Sequence, residues 1–247
     1  MKNIVIAAGY ATRLGELTKN FPKPLLEIGN NTILGRMLDD IDRIEEIDEH
    51  IIVTNHRYAS MFGSWAKEQH YVKPVTIVDD GSETNETRLG AVCDLLLAIN
   101  RLKIDEDILV VAADNLLFFS FQEFVDYSKE KGTSCVMCHY EPEIRKLQRT
   151  GVIEVDSEMK VLMMQEKPEG PVSHLAVPPF YIYRQTDLNL IRHAVENGCK
   201  KDAPGNLACY MVEHTDIHAW LMSAGRFDIG SIDTYREALK RFGENRQ

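Results

Sequence analysis

Hydrophobic and polar positions along this chain follow two different periods. Short, nearly continuous apolar runs at Asn3–Ala8, His50–Thr54, Val75–Val78, Ile108–Ala112 and Ser134–His139 have the length and side-chain type of buried strands. Between them, Ile33–Ile44, Tyr58–Gln69, Leu89–Leu102 and Phe121–Lys131 repeat Leu, Ile, Ala or Phe at helical spacing. Strands that alternate singly with helices predict a mostly parallel sheet covered on both faces. Ligands on such sheets bind beyond the carboxyl ends of the strands, so the residues that follow each apolar run carry the interest.

Beyond His139 the pattern changes. Gly151–Val155 and Lys160–Gln165 flank Asp156-Ser157-Glu158 and predict a hairpin, and Leu175–Tyr183 predicts one further strand after a Pro/Gly-rich connection from Pro168 to Pro171. Asp187–Asn197 reads as a helix closed by Gly198. His218–Leu221 reads as a last strand and Thr234–Phe242 as a closing helix with Ser231 as N-cap. The expected fold is an α/β, three-layer Rossmann-like sandwich with a mostly parallel mixed central sheet. Residues 1–140 form its first half, and 141–247 a smaller lobe laid against the same sheet, all within one domain.

Composition narrows the function classes. With 247 residues, 44% of them hydrophobic, the chain can bury a full core. It contains no apolar run of about 18 residues, and Met1-Lys2-Asn3 leads directly into a strand without a signal-peptide core, so a soluble, cytoplasmic protein with no membrane partner is expected. The net charge of −10, with acids dispersed, excludes a nucleic-acid surface, which needs a concentrated basic face. A polyanionic ligand must therefore be met by a few local cations. Five scattered cysteines do not make a disulfide framework. Cys135-Val136-Met137-Cys138 lies in a strand, which points its two thiols to opposite faces and removes zinc binding. His214 and His218, spaced for one helical face beside Glu213, lack a third ligand. Oligomeric state has no signature here.

Ala7-Ala8-Gly9-Tyr10-Ala11-Thr12-Arg13-Leu14 follows the first strand, and Pro22-Lys23-Pro24 comes soon after. Small residues after the strand let peptide N–H groups turn toward an anion, while Arg13 and Lys23 add two cations, an arrangement suited to a triphosphate. Asp114 stands where the strand Ile108–Ala112 runs out, and Asp228 repeats that placement in Phe227-Asp228-Ile229-Gly230. Two such carboxylates can share one Mg2+ beside a phosphate. Glu166-Lys167-Pro168 ends a hairpin strand and projects a charged pair. Thr87-Arg88-Leu89-Gly90-Ala91 opens a helix where Gly90 admits a flat ring close to the backbone.

These segments, in this order, resemble the sugar-phosphate nucleotidyltransferase family over nearly the whole chain. The family's small-residue run ending in Thr-Arg-Leu and its following Pro-Lys match Ala8–Leu14 and Pro22-Lys23. Its Leu-Gly segment matches Leu89-Gly90, its metal aspartate Asp114, its glycine before the hairpin Gly151, its Glu-Lys-Pro Glu166-Lys167-Pro168, and its closing Asp-Ile-Gly Asp228-Ile229-Gly230 with Tyr235. The resemblance implies transfer of a nucleoside monophosphate from a nucleoside triphosphate to a sugar 1-phosphate, with release of pyrophosphate. Under it, residues 1–140 bind the nucleotide through Ala7, Ala8, Gly9, Thr12, Thr87 and Gly90, and the later lobe binds the acceptor through Gly151, Glu166 and Lys167. Arg13 and Lys23 become catalytic cations, and Asp114 and Asp228 hold Mg2+.

Two departures qualify that picture. Ala11 replaces a glycine common in the family, which requires a negative φ there. Ala176-Val177-Pro178-Pro179-Phe180-Tyr181 replaces the Asn-x-Gly-Ile-Tyr of sugar-specific members, so an unusual sugar phosphate is one expectation. Cytidylyl transfer to a phosphorylated alcohol or amino alcohol such as phosphocholine is an alternative. The base stays open, with Glu83, Asn85 and Thr87 nearby. A nicotinamide-dependent dehydrogenase would need G-x-G-x-x-G, and a P-loop kinase Gly-Lys-Ser/Thr; neither occurs. A non-catalytic, nucleotide-sugar-binding regulatory subunit is the alternative from another class. One helix and the polar tail Gly243–Gln247 follow Gly230, the expected length of a stand-alone transferase.

Overall fold

The first apolar run forms β1 (Lys2–Ile6), which stops two residues before Ala8 because its neighbour's register also ends there, at Ile6 opposite Ala112. The computed structural model describes residues 1–243, the side chains of Thr12 and Arg13 excepted. A two-residue hairpin follows, β2 (Glu27–Ile28) and β3 (Asn31–Thr32), too short to register as a sequence pattern. Next come α1 (Ile33–Ile41), β4 (Glu49–Thr54), α2 (His56–Glu68), β5 (Val75–Asp79), α3 (Ala91–Leu102) and β6 (Ile108–Ala112). Then follow β7 (Asn115–Leu117), α4 (Phe121–Lys131), β8 (Ser134–Tyr140), the single turn α5 (Ile144–Leu147), β9 (Gly151–Val155) and β10 (Val161–Glu166). The chain closes through β11 (Leu175–Val177), β12 (Phe180–Tyr183), α6 (Leu188–Glu196), α7 (Pro204–His214), β13 (Ile217–Leu221), β14 (Arg226–Asp228) and α8 (Ile232–Phe242).

Strands β5, β4, β1 and β6 run parallel, as the alternation of strands and helices requires, and β12 lies antiparallel between β6 and β8. Successive residues of one strand enter opposite layers. Ile4, Val53 and Val110 pack with Leu95 of α3, Ile191 of α6 and Met211 of α7. Val5, Ile52 and Val111 pack with Leu38 of α1, Phe62 of α2 and Phe124 of α4. The result is the three-layer, mostly parallel mixed sandwich. Cys135 and Cys138 fall in opposite layers and both are buried, which removes them from metal chemistry.

Helix starts follow side-chain capping. Thr32 accepts from the Gly35 N–H, Asn55 from Tyr58 and Ser231 from Thr234, each satisfying an end donor of its helix. Three expectations need correction. Residues Leu175–Tyr183 make two strands, because Pro178 and Pro179 carry no N–H to continue a ladder. His214 ends α7 while His218 lies in β13, so no helix aligns them; α7 itself, begun by Pro204, was not among the elements the sequence pattern predicted. Ala11 adopts φ 46°, not the negative value expected of it, with Leu14 N–H and Thr18 Oγ1 both donating to its carbonyl.

One buried carboxyl stands outside this bookkeeping. Asp94, 3% exposed in the first turn of α3, leaves Oδ1 without a partner, and burial followed by the neighbouring Asp80 carboxylate pushes its pKa up to about 7. Native Asp94 therefore holds a proton that the unfolded chain has already lost between pH 4 and 7. Its cost is absent below the ordinary carboxylate range and complete above about pH 7. Asp94→Asn is expected to stabilise the fold at pH 8 by roughly 2–4 kcal/mol and to leave it unchanged near pH 4, measured by denaturant unfolding at both pH values.

Candidate active site

The break at Pro178-Pro179 shapes the cleft. Both β11 and β12 lie against β8, but the other edge of β11 pairs with β9 while that of β12 pairs with β6. The prolines thus stand where β6 and β9 part. The Ala112 N–H donates to the Pro179 carbonyl (3.1 Å), and Val177 pairs with Gly151, so the end of β6 and the start of β9 flank the proline pair. Sheets bind ligands where neighbouring strands diverge in this way.

On the β6 side, Lys23 and Asp114 meet. Lys23 enters a 3-10 turn, Lys23–Leu25, anchored by buried Pro24 and Leu25, and its Nζ lies 3.1 Å from Asp114 Oδ2. The other carboxylate oxygen, Oδ1, accepts from Asn115 Nδ2 at 2.7 Å. Strand β14 then brings Asp228 alongside: Asp228 pairs with Asn115, and the Ile229 N–H donates to the Asp114 carbonyl at 3.0 Å. Ile229 is fully buried with Leu14, Leu26, Leu116 and Ala238, an apolar clamp that ties the opening loop, β7 and α8 together. Burial of that one isoleucine holds Asp228 beside Asp114. The two acids offer hard oxygen donors for a divalent cation, and a cation already sits on Asp114 in the form of Lys23.

Beyond the divergence, Gly151 pairs with Glu166, and a Cβ on Gly151 would lie 2.8 Å from Met164 Cε and 3.2 Å from Val177 Cβ, so a side chain there would have to displace the end of Met164. Glu166 rests against the first turn of α7, where a Cβ on Gly205 would fall 1.9 Å from Oε2. Burial pushes its carboxyl up, opposed by Lys167, whose Nζ is 3.6 Å away. Lys167 takes φ 51° and donates its N–H to Thr150, so the strand ends in a left-handed residue. Gly90, at φ 91°, passes beneath the carbonyl of Lys201, leaving no room for a side chain there. Thr87 is exposed in a turn with Thr84, its hydroxyl donating to the Thr84 carbonyl. Ala7 N–H donates to Val53 and the Ala8 carbonyl accepts from Asn55, while Gly9 is exposed. The side chains of Thr12 and Arg13 lie outside the described residues. A cavity of about 450 Å3 opens beside the loop, lined by Tyr10, Thr18, Arg57, Glu83 and Asn85.

The structure thus gathers Lys23, Asp114 and Asp228 on one side of the strand divergence and Gly151, Glu166 and Lys167 on the other. Asn115 and Arg226 join the first group without having been singled out in the sequence. Arg226 NH1 donates to Asn115 Oδ1 at 2.5 Å. The available signal was spacing: Arg226 and Asp228 are two apart in one strand and so share a face.

With this geometry in place, comparison with known proteins gives one answer. The family model described as nucleotidyl transferase matches residues 2–245, and the chain belongs to that family. It is 25% identical, over 96% of its length, to a glucose-1-phosphate adenylyltransferase of Fervidobacterium nodosum, of which it spans only 60%. It is 23% identical to a UTP–glucose-1-phosphate uridylyltransferase of Haloferax volcanii, with 99% of this chain and 97% of the relative covered. A crystal structure of UDP-glucose pyrophosphorylase with UDP-glucose has the same fold, with a TM-score of 0.80, 20% identity and 97% of each chain covered.

Gly205→Ala is expected to displace the Glu166 carboxylate without melting α7, since the clash is with the free end of a side chain. A crystal structure of the variant, together with its thermal midpoint, checks this; Glu166 in its original place would contradict it.

Proposed function

We propose that this protein is a nucleotidyltransferase that moves a nucleoside monophosphate from a nucleoside triphosphate onto a sugar 1-phosphate and releases pyrophosphate. The observation that carries the reading is a charged group on each side of the strand divergence, Lys23 with Asp114 and Asp228 after β6 and Glu166 with Lys167 at the end of β10. Each group meets a different part of two anionic reactants.

Lys23 binds the triphosphate and opposes the charge that grows on departing pyrophosphate, with Arg13 as the second cation from the same loop. Lys167 binds the phosphate of the acceptor, and Glu166 contacts its organic part. The attacking phosphate oxygen is already ionised near neutral pH, its second pKa being about 6, so no general base is required. Asp114 and Asp228 fit Mg2+, a hard cation that takes one or two protein carboxylates and completes its shell with phosphate oxygens and water. When bound, Mg2+ supplies polarisation of the phosphorus under attack and charge neutralisation between the reactants. When Asp114 carries that ion, Lys23 is free to turn to phosphate.

Relatives that transfer adenylyl and uridylyl groups share this chain's architecture, so architecture alone does not choose the base. Glu83 and Asn85 line the cavity beside the opening loop and are the base-reading candidates. A second acceptor class has support from one observation: Glu166 is flanked by Asp202, whose charge adds to the upward push on its carboxyl. Paired carboxylates suit a cationic head, as in a phosphorylated amino alcohol. Phe180 gives that reading no help, because its ring is fully buried against Phe121.

The decisive experiment is a pyrophosphate-release screen crossing the common nucleoside triphosphates with sugar 1-phosphates and phosphorylated amino alcohols. Release with one pairing supports transfer, and none with any pairing favours a non-catalytic binding role. Asp114→Ala is expected to lower turnover at least about 100-fold at saturating Mg2+ with the fold retained, by removal of a direct metal ligand. Lys167→Ala is expected to raise the KM for acceptor about tenfold and leave the KM for the nucleotide unchanged, as loss of one charge-assisted hydrogen bond requires. Steady-state kinetics with each substrate varied checks both.

A further inference from the structure

Asp114 is held by more than its strand. Its Oδ1 accepts from Asn115 Nδ2 at 2.7 Å, and the same amide's Oδ1 accepts from Arg226 NH1 at 2.5 Å. An amide has two nearly identical ends, and a half-turn would present its carbonyl oxygen to the Asp114 carboxylate, acceptor against acceptor. Arg226 forbids that turn, because a guanidinium can only donate and a carboxylate can only accept. Between a donor-only and an acceptor-only group the amide has a single orientation. Asn115 is 2% exposed, so water does not compete for either end.

Arg226 is placed for this contact at the expense of another. Its Nε is buried without a partner, a cost that a guanidinium kept for general stability would avoid. Neighbouring His139 is held neutral, its pKa lowered to about 4 by burial and then by the Arg226 cation, so the arginine meets no second positive charge there. The order of contacts is Arg226 to Asn115, Asn115 to one oxygen of Asp114, and Lys23 to the other. One carboxylate oxygen is thereby committed to the protein, and the second is left facing a cation.

We propose that Arg226 is a positioning residue that, through Asn115, fixes the rotation of the Asp114 carboxylate so that Oδ2 is presented to the divalent cation. It touches neither substrate nor metal. The inference rests on the nucleotidyl-transfer reading for its purpose, though its central measurement does not need turnover.

Mn2+ alone, titrated into nucleotide-free protein and followed by electron paramagnetic resonance, reads the site without catalysis. Arg226→Met is expected to weaken Mn2+ binding about tenfold, the usual cost of losing a group that orients a metal ligand. Arg226→Lys, still a donor-only cation, is expected to retain most of the affinity, which a merely structural role would not explain. Arg226→Met combined with Asn115→Ala is expected to bind no more weakly than Asn115→Ala alone, because both act through one path. Should Arg226→Met fail to fold, Arg226→Gln replaces it, with an affinity below that of Arg226→Lys expected. Wild-type affinity in a folded Met or Gln variant overturns the proposal, as do multiplying effects in the double variant or an absence of Mn2+ binding in the wild type. A wild type that binds Mn2+ and shows the expected loss in the variants, yet releases no pyrophosphate with any substrate pair, overturns the transfer reading and supports the relay.

Discussion

A proline carries no N–H, and two in succession cannot continue a sheet. That constraint, at Pro178 and Pro179, divides what would be one strand into β11 and β12 and sends their outer edges to different partners, β9 and β6. The divergence lies at the carboxyl end of β6, next to Asp114. A hydrogen-bonding residue in either place would remove the obstacle to a continuous ladder through the site.

The cleft is an electrostatic arrangement stabilised by apolar burial some distance away. Asp228 and Asp114 come from segments more than a hundred residues apart, and like charges do not assemble themselves. Ile229, enclosed by Leu14, Leu26 and Leu116, supplies the attraction that the acids lack, and the β7–β14 ladder sets the register. Lys23 arrives on a turn anchored elsewhere, Leu25 packing with Val5 and Val111 in one layer of the core, while the next residue, Leu26, joins the clamp. The ion pair of Lys23 with Asp114 offsets part of the repulsion. Near Gly151 and Gly205 the absence of a Cβ leaves the ends of Met164 and Glu166 where they lie.

Much of this was legible in the sequence because its causes are local. The strand Ile108–Ala112 and the helix Phe121–Lys131 took the bounds expected of them, since continuous apolar runs and helical periodicity act within a few residues. The cap at Ser231 was equally local. What escaped depended on contacts between distant segments. The helix Pro204–His214 was hidden by a Pro and a Gly at its start, residues that mark a break in most contexts and a helix entrance in this one. Ala11 takes a left-handed φ because Leu14 and Thr18 together hold its carbonyl. The Arg226–Asn115–Asp114 chain links β14 to β7 and the residue before it, so the spacing of Arg226 and Asp228 in β14 shows a shared face but not the partner.

The sequence by itself determined the periods, the caps and the order of charged segments, and with them an α/β sandwich and a resemblance to one enzyme family. These follow from interactions between near neighbours in the chain and from residue chemistry that needs no partner to be read. Only the tertiary structure decided that Pro178-Pro179 parts the sheet, that Asp228 pairs beside Asp114, and that Asn115 faces Arg226. Those outcomes come from strand register and from burial of apolar surface against remote segments. Such terms exist only after the chain has closed on itself.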